Sequence, residues 1–374
     1  MTLTRRDAAR ADAAFGTDLY RALRSRGSTV FSPASVAAAL KMALAGARGE
    51  TADELARALH LAAPGDAAAS LAELGDLAVS PKAQGGGELT LRTPNTMWLD
   101  ETLTVRETYL RTLAGAVGVE RCDFRGAPEA SRQTINAAVE NQTEDKITNL
   151  LAPGLVTPAT RLILVNAVYL HALWQHPFPA DNTQDNPFYP ERMDPTVLPT
   201  MRLETRMAYH RGGGCQSVLL PYRDGTLAMA VVLPDGPLSE FAPGFDLASE
   251  LGNLLRDDAG HLVRLFLPRF RVEASFRLEE VLATLGVRRA FTAGADFGGI
   301  CEEPVAISAV VHKAFIDVGE EGTEAAAATA AVFVPAGIIR RPEPDVTMVV
   351  DRPFLFAIAD TGTGLPLFLG QFAG

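Results

Sequence analysis

Cysteine is scarce in this chain. There are three in 374 residues, Cys122, Cys215 and Cys301, odd in number and far apart. That pattern carries no disulfide framework, no CxxC motif and no zinc spacing. Lysine and arginine never gather beyond pairs such as Arg288-Arg289 and Arg340-Arg341, and the formal net charge is −11. A nucleic-acid or polyanion surface needs the opposite. No apolar run reaches the length of a membrane-spanning helix, so no membrane partner is expected. The first ten residues, MTLTRRDAAR, lack the apolar core of a signal peptide, and the expectation is a cytoplasmic protein. Catalytic signatures are missing as well: there is no GxSxG elbow, P-loop, HExxH or dinucleotide fingerprint. The six histidines are scattered, and His171 and His176 flank Trp174 at a spacing that suits neither one helix face nor a zinc motif. Ser32 and Ser35 have no neighbouring His or Asp to activate them. No cofactor, no metal and no enzymatic activity are expected.

Apolar residues make up 47% of the chain, enough for a large packed core. The first third reads as helices. Phe15, Leu19, Tyr20 and Leu23 recur at helical spacing. Ser32-Pro33 opens a second helix, with Ser32 as cap and Pro33 at the first helical position. Thr51 and Glu54 form a capping-box pattern for a third helix over residues 51–59, and residues 131–147 read as another amphipathic helix. From residue 162 the character changes. Residues 162–174 are almost all apolar, as in a central strand buried on both faces. Residues 227–233 read as a strand and residues 262–272 as one alternating strand. A helix follows at 278–285, and strands follow at 314–318, 346–350, 354–359 and 367–372. Helices first and sheets later, without βαβ alternation, predict an α+β fold with large, mostly antiparallel sheets. No repeat or linker divides the chain, so residues 1–374 are read as one domain.

One stretch fits two structures. Residues 320–334 read EEGTEAAAATAAVFV. Alanine and glutamate favour helix, whereas Val332, Phe333 and Val334 favour strand. Taken alone, the run is an ordinary helix or linker. Small side chains throughout also suit a segment that slides between two existing strands.

Several motifs occur together in order: VFSPAS at 30–35, LAGARGET at 44–51, NAVY at 166–169 running to Trp174 and Pro177-Phe178, VHKAF at 311–315 followed by EEGTEAAAAT at 320–329, RPFLF at 352–356 and PLFLG at 366–370. Together, over residues 12–374, they resemble the serpin family of serine protease inhibitors. The resemblance implies a monomer with an exposed reactive loop, about residues 320–345. A serine protease cuts that loop and is trapped covalently as the loop inserts into a sheet. It also implies roles for particular residues. Glu320, Glu321, Gly322, Thr323, Glu324, Ala325, Ala326, Ala327, Ala328 and Thr329 match the hinge. Ser32, Ser35, Asn166 and His312 match the shutter, a hydrogen-bond network at the centre of the sheet. Trp174, Arg269 and Glu320 match the breach at its upper end.

The strand period of two places Thr323, Ala325, Ala327 and Thr329 on the inserting face and Glu324 on the opposite one. None of the four is large or charged, which favours an inhibitor over a noninhibitory member acting as a binding or carrier protein. Family spacing, with Glu320 as the first of seventeen residues, puts the scissile bond between Ala336 and Gly337. Alanine after Val334-Pro335 suits an elastase- or subtilisin-like pocket, whereas a trypsin-like enzyme would cut at Arg340 or Arg341. Ile338 is a further alternative. Residues 65–83, which match the helix that binds heparin in some members, carry Asp66, Glu73 and Asp76 against Lys82 alone, so no polyanion cofactor is expected. Most members of the family act outside cells, which stands as the alternative to a cytoplasmic location.

Overall fold

The computed structural model describes residues 4–23, 27–67, 70–71, 89–113, 118–257, 260–324 and 343–374. Helices α1 (Arg5–Leu23), α2 (Pro33–Gly46), α3 (Gly49–Ala58), α4 (Glu107–Leu113) and α5 (Pro128–Gln142) precede the longest strands, and the short helices α6 (Leu238–Phe241), α7 (Leu247–Leu254) and α8 (Glu279–Thr284) lie between later ones. The strands of the described residues form three sheets. The largest runs β12 (Phe270–Arg277), β13 (Ala309–Val318), β14 (Gly322–Thr323), β5 (Leu162–Leu173), β3 (Asn95–Asp100) and β4 (Gly118–Cys122), with β2 (Leu89–Arg92) also paired to β5. A second runs β1 (Thr29–Phe31), β17 (Pro366–Phe372), β16 (Phe354–Asp360), β10 (Leu227–Pro234), β9 (Cys215–Pro221) and β8 (Tyr209–Gly212). The third runs β15 (Val346–Val349), β11 (His261–Pro268), β7 (Thr196–Met207) and β6 (Gln184–Phe188). The α+β expectation is met.

The apolar run of β5 is explained by what covers it. Val168, Leu170 and Ala172 pack inward against residues of the second sheet such as Met229 and Phe356. Ile163, Val165 and Ala167 pack outward beneath Ile135 and Val139 of α5. A strand covered on both faces loses the alternation that marks a half-exposed one. α2 shows the same logic in a helix. It is apolar nearly all round and therefore buried. Ser32 caps it by accepting a hydrogen bond from the Ser35 N–H at 3.1 Å, and Pro33 holds the first position, as the sequence predicts. Lys41 is the single charge on α2 and is fully buried, 2.6 Å from the Asp12 carboxylate of α1. This pair fixes the register of α1 on α2, because removing either member would leave the other charge buried and uncompensated.

Three sequence expectations are corrected. Thr51 is not a cap: α3 begins at Gly49, and Arg48 in the cap position makes no side-chain capping bond. The Thr51 hydroxyl instead accepts from the Asp296 N–H at 3.0 Å. Glu54 accepts from the N–H groups of Arg288 and Arg289 at 2.7 and 2.8 Å. Tertiary partners have taken both halves of the local box. Residues 262–272 are two strands in two sheets, because the chain crosses from the third sheet to the largest at Pro268-Arg269. The helix expected at 131–147 spans Pro128–Gln142, and Glu144 and Asp145 beyond it take left-handed φ of 53° and 60° that no helix continues.

Candidate functional site

β5 and β13 are parallel neighbours, with residues 163–168 paired to residues 309–314. Beyond Val168 and Ala314 the two strands part, and β14 fills the fork. Thr323 pairs with Val318 of β13 on one side and with Ala172 of β5 on the other, and Gly322 pairs with Leu173. The hinge thus already contributes a two-residue strand to the sheet. Gly322 is required by a close approach of two backbones. A Cβ there would lie 2.0 Å from the Ala172 carbonyl oxygen, a backbone atom that cannot move aside. Gly322→Ala is expected to push β14 out of the fork at a cost of about 1–2 kcal/mol. A red shift of Trp174 emission with unchanged far-ultraviolet circular dichroism would report it.

Thr323 is 1% exposed and points inward, its hydroxyl 2.6 Å from the phenol of Tyr222. Tyr222 is buried and stacks on Trp174 with centroids 4.5 Å apart. Trp174 holds the turn before β14 at two points. Its indole N–H donates to the Gly319 carbonyl at 2.9 Å, and its backbone N–H donates to the Glu321 carbonyl at 2.8 Å. Glu320 accepts from Arg269 Nε at 2.8 Å and from the Thr183 hydroxyl at 2.6 Å, and its backbone carbonyl accepts from the Phe178 N–H at 2.9 Å. Partial burial raises the Glu320 carboxyl, but the bonds from Arg269 and Thr183 outweigh it and hold the group below the usual carboxylate range. Trp174, Arg269 and Glu320 therefore meet at the upper end of the sheet.

Below the fork, a polar ladder crosses three strands inside the apolar sheet. Asn95 of β3 accepts from the Asn166 side-chain amide of β5, and Asn166 Oδ1 bonds to Nδ1 of His312 on β13. The Ser32 N–H at the start of α2 donates to His312 Nε2 at 2.9 Å. A ring nitrogen that accepts from an N–H carries no proton, so the His312 proton is assigned to Nδ1. Burial holds this imidazole neutral, pushing its pKa down to about 3. Ser32, Asn166 and His312 are joined directly, whereas Ser35 joins only through its backbone N–H to Ser32. Asn95 and Asn166 are register partners across one strand pair, and Asn166 and His312 are partners across the next.

Of the candidate hinge, residues 320–324 are described. Ala325, Ala326, Ala327, Ala328, Thr329, the bond between Ala336 and Gly337, Ile338, Arg340 and Arg341 lie outside the described residues. Sequence reading misses Asn95, Lys146, Thr183 and Tyr222. None sits in a motif, and each meets a partner that is distant in sequence, Asn95 through strand register and the other three through tertiary packing.

Among the described residues, no group of His, Cys, Asp or Glu is arranged to hold a metal, and no helix is long and apolar enough to cross a membrane. Burial pushes the Cys215 and Cys301 thiols up, to about 12 and about 11, which leaves them unreactive.

The family model for serpins, serine protease inhibitors, matches residues 10–374. An uncharacterized serpin-like protein of Thermococcus kodakarensis is 37% identical over 361 residues, covering 96% of this chain and 83% of that one. A leukocyte elastase inhibitor of Sus scrofa is 35% identical over 379 residues, covering 97% and 98%. The crystal structure of Serpin48 from the insect Tenebrio molitor superposes with a TM-score of 0.84 at 30% identity, covering 98% of each chain. The match to the family model spans nearly the whole chain and agrees with the three-sheet architecture, and on both grounds this protein belongs to the serpin family.

Proposed function

We propose that this chain is a suicide-substrate inhibitor of a serine protease with a small primary pocket, of the elastase or subtilisin type. The observation that carries the reading is β14. The first inserting residue, Thr323, already sits between β5 and β13 with its side chain buried, so uptake of the loop lengthens a strand that exists. The protease serine attacks the Ala336 carbonyl, the bond to Gly337 breaks, and the Gly337 amine leaves with a proton while the acyl ester remains. The freed segment then follows Thr323 down the seam. Two rows of main-chain hydrogen bonds and the burial of small side chains favour that insertion, and the uncut loop is held back beforehand by a kinetic barrier.

The barrier has a location. Insertion separates residues 309–314 from 163–168, and with them the Asn166–His312 bond. Running the Thr323–Ala172 register on along β5 brings Thr329 opposite Asn166, facing inward. Its hydroxyl can then replace the partner that Asn166 and His312 lose, so that neither stays buried and unpaired, which would cost about 1–3 kcal/mol. Thr329→Val is expected to raise the share of loop that is cut without trapping about tenfold, read as the moles of inhibitor consumed per mole of protease.

The names of the relatives support the target class, because several are leukocyte elastase inhibitors. The test is a mixture of the protein with an elastase-type protease on a denaturing gel. A covalent band at the summed mass is expected, together with a released C-terminal peptide that begins at Gly337. Loop cleavage without the band refutes inhibition of that protease, and a peptide beginning at Arg341 moves the target to the trypsin-like class.

A further inference from the structure

Glu324 ends β14 in an unusual way. Its φ is +54°, left-handed for a residue with a side chain, while its N–H donates to the Asp317 carbonyl at 2.7 Å. The side chain turns to the outer face of the sheet, where one carboxylate oxygen lies 2.6 Å from Lys146 Nζ. The other, Oε2, is buried without a hydrogen-bond partner among the described residues. Glu324 is nearly buried and Lys146 is half-exposed. Tyr169 of β5 stands in the same fork, and burial, then the charge of Glu324, push its phenol above its usual range. Lys146 belongs to the segment that leaves α5, the helix covering this face. Two residues on, the Thr148 carbonyl of that segment accepts from Lys313 Nζ of β13 at 3.1 Å. One short stretch of chain therefore grips both the hinge and the strand beside it, across the seam that must open.

We infer that Lys146 is a positioning residue, which clamps the hinge at the one-residue stage of insertion by docking Glu324 against the tail of α5. A residue in the left-handed region needs a contact to hold it there, and an ion pair with one nearly buried member supplies it. The clamp keeps Thr323 seated on Tyr222, so insertion starts from a strand already in register. Without it the hinge spends time outside the fork and must re-enter before the acyl-enzyme is hydrolysed. The kinetic part of this inference rests on the inhibitory reading above, whereas the clamp itself does not.

The experiment is hydrogen exchange of the Thr323 and Glu324 amides in the intact protein, alongside trapping of an elastase-type protease, for wild type, Lys146→Met, Lys146→Arg and the exchange pair Lys146→Glu with Glu324→Lys. Expected is about fivefold faster exchange in Lys146→Met, the size of a half-exposed ion pair, with recovery in Lys146→Arg and in the exchange pair. Wild-type exchange should quicken with added salt and that of Lys146→Met should not. The moles of inhibitor consumed per protease should rise about threefold in Lys146→Met. Unchanged hinge exchange in Lys146→Met overturns the clamp, even if trapping is intact. A loss of thermal stability in Lys146→Met without any change at the hinge amides also overturns it, because that is what a purely structural lysine would give. If hinge exchange responds as expected and wild type traps no protease, the clamp stands and the inhibitory reading falls.

Discussion

Thr323→Arg is expected to turn the protein from an inhibitor into a substrate, with the covalent complex falling below about one part in a hundred of the cleaved product. In the native structure the Thr323 side chain is buried on Tyr222, in an inward-facing cluster that holds Trp174, Leu170 and Ala172. Among the described residues a guanidinium placed there meets no free carboxylate on the inner face, since Glu320 is already engaged by Arg269 and Thr183 and Glu324 turns to Lys146 on the outer face. Taking an unpaired ion out of water costs several kcal/mol even after relaxation, more than the single Thr323–Tyr222 hydrogen bond contributes. β14 is only two residues long, so its expulsion leaves the three sheets intact. The variant should fold, present its loop and be cut at the same bond, but the strand cannot start. Denaturing gels and the release of the C-terminal peptide read both outcomes together. Undiminished covalent complex in Thr323→Arg would refute insertion through this fork. Thr323→Val, which keeps the size and loses only the hydroxyl, should still trap.

Acid is expected to weaken the seam through His312. Its folded pKa of about 3 lies below the ordinary 6.5. Below pH 6.5 the unfolded chain therefore takes up a proton that the folded one refuses. The stabilising contribution is complete above that value and is lost as pH falls toward 3. At pH 5 the loss is about 2 kcal/mol, at about 1.4 kcal/mol per pH unit. The carboxylates held low, Glu54 and Glu320 among them, act below their own ordinary 4.5, whereas burial raises that of Asp12, so the comparison that isolates the imidazole is with His312→Gln. Urea unfolding at pH 7 and pH 5 should show wild type losing about 2 kcal/mol more than His312→Gln, which has no imidazole to protonate. Equal losses would show that His312 does not control this range. The local consequence is specific. A proton on Nε2 turns the acceptor of the Ser32 N–H into a donor, so the ladder breaks at α2 first. If insertion separates β5 from β13, loop uptake after cleavage should also quicken at pH 5 in wild type and not in His312→Gln.

Much of the fold was legible because local rules and tertiary structure agree. Ser32-Pro33 caps α2 as written, and the apolar run at 162–173 is the doubly covered strand. Elsewhere they compete and the tertiary partner wins. Thr51 and Glu54 have the chemistry of a capping box, yet each bonds a distant backbone amide that the tertiary fold brings to its oxygen. The alternation through 262–272 is continuous in sequence, but it says nothing about which sheet each half joins. At the site, the small residues of the hinge and the glycine at 322 are visible in the sequence. Asn95, Tyr222 and Lys146 are not: the partner of Asn95 is set by strand register, those of Tyr222 and Lys146 by how distant segments pack, and neither leaves a mark in the local sequence.

The sequence by itself determined the chemistry on offer: no metal or nucleophile signature, free cysteines, and a stretch at 320–334 whose small side chains suit either helix or buried strand. The ordered motifs added the family. Only the tertiary structure decided where that stretch begins to be a strand. Val168 and Ala314 are the last directly paired residues of β5 and β13, and the fork above them is one strand wide. The backbone groups of both strands must be satisfied there, and Gly322 and Thr323 satisfy them until Glu324 turns out to Lys146.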